Sequence, residues 1–277
     1  MTTAVATART GTGILAPAIR AIGFVSGWGK GPGAIPADAR VAAGGRDVVP
    51  LGRPAVEGER FRRATRECLW GLAAIEAMLE NGAIDRAALA GERTALLFVT
   101  AAVYGASNRA FIERSGGGTH FAYTAPAVVS AEAAIEFGLH GPAALFIGGP
   151  PATLRAIWYA ATLLAGGSCD RALVLAVETF AECADLYARA RRRGAPPLVE
   201  AAGCAWLEPG EGRLELRVRR SPRDASPGIE RRLGETFACG PLAELAMWRQ
   251  DGGAGDLRLH GRWRGEAADL TITKGGA

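Results

Sequence analysis

The 277-residue chain is 49% hydrophobic and 22% charged, which suits a globular protein with a sizeable core and excludes a largely disordered one. Its formal charge of +4 comes from thirty arginines and only two lysines, Lys30 and Lys274. No aromatic residues interleave with the basic runs, so a nucleic-acid stacking platform is not expected. The arginines are either a compositional bias or a positive face for an acidic partner, since guanidinium forks match carboxylates and phosphates. No apolar run reaches the roughly 20 residues of a membrane span. Cys68, Cys169, Cys183, Cys204 and Cys239 form no CxxC pair, and their odd number and wide spacing point to reduced thiols in the cytoplasm. His120, His140 and His260 lack metal-ligand spacing, so no metal is expected.

In chain order, residues 1–18 are small and polar, lack the pattern of a signal peptide, and read as a disordered leader. "IRAIGFVSGWG", residues 19–29, is a β-rich core closed by glycines and reads as the first strand, followed by a Gly/Pro-rich loop to about residue 45. Over residues 59–80, Phe61, Cys68, Leu72, Ile75 and Leu79 form one stripe, which predicts a long amphipathic helix. Asn81 and Gly82 supply a left-handed stop. "TALLFVT", residues 94–100, is a continuous apolar run of the kind found in strands covered on both faces. A polar helix over 106–114, a glycine-rich loop and a helix over 127–137 ending at Gly138 follow.

The segment "ALFIGGPPATLRAIWYAATLL", residues 144–164, reads as a buried strand, a double-glycine turn and a long apolar helix, the usual setting of an exposed nucleophile. "RALVLAVETF", residues 171–180, is a further buried strand. This alternation predicts an α/β fold with helices packed on a central sheet. After Pro196 and Pro197 come a strand in "AAGCAWLEP", an alternating strand in "RLELRVRR", a helix over 241–250 and two alternating strands, "DLRLHGRW" and "ADLTIT". A single domain over 19–277 is expected, with a core to about 210 and an antiparallel β/α extension over about 211–277.

Four blocks carry a family resemblance. "RFRRATRECLWGLAAIEAMLENGAI", "FAYTAPAVVSAEAAIEFGLHGP", "LLAGGSCDRALVLAVE" and, less closely, "VEAAGCAWLEP" resemble the N-terminal half of β-ketoacyl synthases, the condensing enzymes of fatty-acid and polyketide synthesis. The resemblance implies a thiolase-like mixed sheet with packed helices. Spacing from Gly141-Pro142 to Ser168-Cys169-Asp170 matches the family without a gap, so the family's Thr-Ala-Cys falls on Gly148, Gly149 and Pro150. Proline has neither thiol nor N–H, but it suits the first turn of a helix. The substitution removes the nucleophile and keeps the turn, leaving no catalytic residue there. Cys169 cannot substitute, because at about 1.5 Å per residue it lies at the far end of the helix.

Active relatives also carry two histidines, or a histidine and an asparagine, in a second half, and the chain ends about where that half would begin. His260, in an alternating context, reads as a sheet residue. Together these departures resemble short chain-length-factor proteins, including those of aryl-polyene type. The resemblance implies a non-catalytic subunit that heterodimerises with a full-length β-ketoacyl synthase and shapes the acyl-chain tunnel, with no cofactor of its own. It also implies an acyl carrier protein as partner, with possible contact to its phosphopantetheine. Ala143, Ala144, Leu145, Phe146 and Ile147 would form the dimer interface, lined by the helix that follows. Phe121, Tyr123, Phe146 and Trp158 are candidates for the tunnel wall, and core packing is the alternative for each. Two further readings stay open. One is an acyl-thioester transferase or hydrolase using Thr153 or Glu178, neither with a visible base. The other is a homodimeric protein that binds a carrier protein or a lipid.

Overall fold

The structure, a computed structural model, describes residues 9–10, 13–54, 56, 58–62, 64–113, 121–190, 194–220 and 229–273. The main sheet is built from β1 (Ala18–Ser26), β2 (Thr94–Thr100), β3 (Ala143–Ile147), β4 (Arg171–Glu178) and β5 (Ala201–Glu208). Its order is β1-β5-β4-β2-β3, with the short strand Gly29–Lys30 outside β1. β2 runs parallel to β3 and β4, and β5 runs antiparallel to β1 and β4. All seven residues of β2 are buried, because helices cover both faces of the central strands, and this is why the run is apolar without alternation.

On one face lie α1 (Arg66–Gly82), packed on β1, β4 and β5, and α3 (Ala127–Phe137), packed on α1 and β2. α1 approaches β1 closely at Gly23, where a Cβ would stand 2.5 Å from the Ala74 carbonyl oxygen. α2 (Tyr104–Glu113) follows β2 at the rim. On the other face lies α4 (Pro150–Ala165), the apolar helix of the double-glycine segment. Its far side is covered by a second, antiparallel sheet of β6 (Arg213–Arg220), β7 (Leu257–Trp263) and β8 (Glu266–Thr273) in the order β6-β8-β7. α5 (Gly240–Gln250) packs beside α4 between the two sheets. Leu154, Ala156, Ile157, Ala160 and Ala161 of α4 are almost fully buried, and burying a side chain the size of Leu154 or Ile157 contributes about 1.5–3 kcal/mol.

The thiolase-like α/β fold with an antiparallel β/α extension is the architecture found. Some boundaries differ from expectation. Arg9–Thr10 and Ile14–Leu15, within the expected leader, pair with β6 and join the second sheet. α1 starts at Arg66 after a separate turn at Glu59–Arg62. Its left-handed terminal residue is Ala83, with φ of 48°, and Gly82 remains helical because a Cβ there would lie 2.8 Å from that of Ala21. The glycine-rich loop, with His120, and Arg191, Arg192 and Arg193 of the basic run lie outside the described residues.

Candidate functional site

The strand–turn–helix unit forms as the sequence implies. The Gly148 N–H donates to the Thr100 carbonyl at 2.9 Å, continuing the β2–β3 ladder past its last pair. Gly148 has a φ of 154°, a conformation that suits glycine alone. Gly149 is the extended residue before α4, and Pro150 and Pro151 occupy its first two positions. A helix start ordinarily offers unpaired N–H groups to a developing oxyanion. Here the two prolines have none, and the next N–H, that of Ala152, donates to the Gly149 carbonyl at 2.9 Å. The turn therefore presents neither a thiol nor leading N–H donors.

The extension closes over this turn. A Cβ on Gly149 would meet the Trp263 ring at 2.5 Å, and one on Gly261 would meet the Pro150 carbonyl carbon at 2.8 Å. Trp263 packs edge-on to Phe237 with ring centroids 4.6 Å apart, Phe237 to Phe180 at 4.8 Å, and Phe180 to Tyr187 at 5.5 Å. Trp263 roofs the turn and the other three aromatic residues back it, and no sequence motif announced the group because it is drawn from separate segments. The one available signal was Gly261, a glycine at an inward position of an alternating strand.

Phe237 has a φ of 45°, a strained value for a bulky residue that persists only where its surroundings enforce it. Two buried groups do so. Glu178 accepts hydrogen bonds from the backbone N–H groups of Ala101, Ala102 and Ala238 and from the Thr100 hydroxyl, at 2.6–3.3 Å. The Thr153 hydroxyl donates to the Ala238 carbonyl at 2.6 Å. Burial pushes the Glu178 carboxyl up to about 8 against the pull of those donors. Both alternative nucleophiles of the enzyme reading are thus fully committed to holding the loop that carries Phe237.

A cavity of about 110 Å³ lies beside the turn, lined by Pro150, Phe237, Pro241, Glu244 and Trp263 among others. Burial raises the Glu244 carboxyl to about 7 despite a hydrogen bond from the His260 backbone. His260 is a sheet residue of β7, as expected, with Nδ1 2.5 Å from Asp269 Oδ1. Cys169 is buried at the opposite end of α4, and all five cysteines are buried free thiols. Among the described residues no three His, Cys, Asp or Glu side chains converge to hold a metal, and no helix is long and apolar enough to cross a membrane.

The proposed wall aromatics fall in different places. Tyr123 packs on the α1/α3 side, Phe146 and Trp158 on the α4 side, and Phe121 is 64% exposed beside Phe111. The four do not line one passage within this chain. Ala143, Ala144, Leu145, Phe146 and Ile147 form β3, at the end of the strand order, with Leu145 and Ile147 39% and 53% exposed. α4 is mostly a core helix. Its Tyr159, 42% exposed and 6.0 Å from Phe146, reaches the same edge.

The β-ketoacyl synthase N-terminal domain model matches residues 54–197, just over half of the 277 residues. The chain belongs to that family. No curated protein matches the sequence. Among solved structures, this ketosynthase-family chain is similar to the ishigamide ketosynthase/chain length factor at 19% identity and a TM-score of 0.71, over 96% of this chain and 100% of that one. It is similar to the type II polyketide acyl-carrier protein–ketosynthase complex AntDE:AntF at 13% identity and a TM-score of 0.75, over 94% and 99% of the two chains. It is also similar to the ketosynthase ApeO in complex with its chain length factor ApeC from Xenorhabdus doucetiae, at 12% identity and a TM-score of 0.62, over 93% and 99%. These likenesses establish the fold. They span nearly the whole of each of those chains.

Proposed function

We propose that this chain is a non-catalytic ketosynthase-like subunit of chain-length-factor type, which pairs with a full-length β-ketoacyl synthase in polyketide or fatty-acid biosynthesis. The observation that carries the reading is the turn at Pro150. It keeps the strand, the sharp turn and the helix of a nucleophile mount, has neither nucleophile nor oxyanion donors, and is roofed by Trp263. A covalent acyl-enzyme has no place to form. The neighbouring strand β3 supports the pairing half of the reading. It ends the strand order and exposes Leu145 and Ile147 beside Tyr159, and an apolar edge of this kind is an aggregation hazard unless a partner covers it. Side chains at that edge, Phe146 foremost, would then limit how far an acyl chain delivered by a carrier protein can grow.

The test is co-expression with full-length β-ketoacyl synthases from the same organism, followed by size-exclusion chromatography with light scattering. A 1:1 heterodimer that condenses acyl and malonyl thioesters, while the chain alone does not, is the expected result. A chain that stays monomeric or only self-associates in the presence of those ketosynthases would overturn the pairing. Thioester turnover by the isolated chain would overturn its non-catalytic status.

A further inference from the structure

The outer face of the second sheet carries a row of exposed arginines. Strand alternation turns Leu214, Leu216, Leu259 and Leu270 inward, where they are buried. The opposite set faces outward and includes Arg213, Arg217 and Arg219 of β6 and Arg258 of β7, all exposed. Only Glu215 and Asp269 oppose them on this face, and each carboxylate is shared. Glu215 takes Arg213 at 3.0 Å and Arg217 at 3.4 Å. Asp269 takes both Arg219 and His260. The Arg258 side chain has no hydrogen bond or ion pair among the described residues. Guanidinium groups carry five donors each, so most of the donors on this face are unused.

We infer that this face docks an acidic protein helix. Along β6, Arg217 and Arg219 are about 7 Å apart, close to the roughly 6 Å rise between carboxylates at i and i+4 of a helix. A nucleic acid fits worse, since no aromatic side chain on the face can stack a base and a uniform row of phosphates would lie over Glu215 and Asp269. A protein can leave gaps or place a cation opposite those two acids. A membrane fits worse too, because β8 turns out only Thr271 and Thr273 between the charges, and Leu15 beside Arg213 is a single exposed apolar side chain, less than the continuous apolar face that insertion needs. The surface lies on the second sheet and β3 on the main one, so this inference stands apart from the pairing proposed above.

The experiment titrates the full chain with a fluorescently labelled Glu-rich helical peptide, and in parallel with its Gln counterpart, a DNA duplex, and vesicles containing phosphatidylglycerol. The triple variant Arg213→Gln, Arg217→Gln, Arg258→Gln is compared with Arg62→Gln, Arg93→Gln, Arg231→Gln, which removes as much charge elsewhere. The expected result is a loss of about tenfold or more in affinity for the Glu-rich peptide in the first variant and less than about twofold in the second. Binding should weaken as salt rises. Arg258→Gln alone, which breaks no internal pair, should weaken binding about threefold with an unchanged melting temperature, separating docking from folding. Equal losses in both triple variants, no binding of the peptide, or tighter binding of DNA or vesicles than of the peptide would each overturn the inference.

Discussion

At position 150 proline supplies neither a thiol nor an N–H. A cysteine there would add a thiol, but Pro151 would still withhold an N–H, Ala152 would still bond to Gly149, and Trp263 would still lie over the turn. Pro150→Cys is therefore expected to fold with a change within about 1 kcal/mol and to form no acyl-enzyme when incubated with acyl thioesters, as read by intact-protein mass spectrometry. Gly149→Ala probes the roof instead. Its new Cβ would stand 2.5 Å from a tryptophan ring that is itself wedged against Phe237, and overpacking of this kind costs about 1–3 kcal/mol. Denaturant titration should show that loss. Unchanged stability would mean that Trp263 swings away freely.

The two edges of the main sheet are treated in opposite ways. Along β1, outside the short pairing with Gly29–Lys30, Arg249 caps the carbonyls of Ile19 and Arg20 and Asn81 caps that of Ile22. Side chains occupying an edge in this way block further pairing. β3 has exposed apolar side chains instead. Ile147→Asp should leave the isolated chain's stability within about 0.5 kcal/mol, because the site is exposed, and should abolish co-purification with the ketosynthase. Phe146, half-buried against α4 and Tyr159, tests the chain-length role. With Phe146→Ala, the reconstituted pair should make longer products by mass spectrometry, at a stability cost of no more than about 3 kcal/mol. An unchanged product distribution would make Phe146 a packing residue only.

Over the whole molecule, the extension is joined to the core through buried polar groups as well as apolar surface. Glu178 and Thr153 both anchor the loop at Phe237, and Arg155 of α4 holds Glu266 of β8 through two hydrogen bonds at 2.6 and 2.7 Å. Glu178 makes this junction sensitive to pH. In the folded chain its carboxyl titrates near 8 rather than at the ordinary 4.5, so between those values the folded state keeps a proton that the unfolded chain has released. Stability therefore falls as pH rises through that window. Glu200 contributes the opposite trend at acid pH. Burial alone would raise it, but Arg66 and the N–H groups of Phe180 and Ala181 hold it below its usual value, so its contribution is lost as pH falls. Glu178→Gln should flatten melting temperature between pH 5 and pH 8, at a cost of about 1–3 kcal/mol, since an amide cannot accept from N–H donors at both ends.

The strands of the main sheet, the helix ending at Gly138 and the degenerate turn were legible because they are local. Each depends on apolar periodicity, on a glycine after a helix, or on two prolines at a helix start, and these preferences act within a few residues. The roof over the turn was not legible. Phe180, Tyr187, Phe237 and Trp263 meet only when β7 lays Gly261 against Pro150, a contact across more than a hundred residues of chain. The four aromatics proposed as one wall were separated for the same reason, since which face of the sheet a side chain joins is fixed by strand register and packing. The sequence by itself determined that position 150 at the start of the helix carries no nucleophilic side chain, because that follows from residue identity. Only the tertiary structure decided that the turn there is sealed, because sealing depends on side chains brought together by the packing of the second sheet on α4.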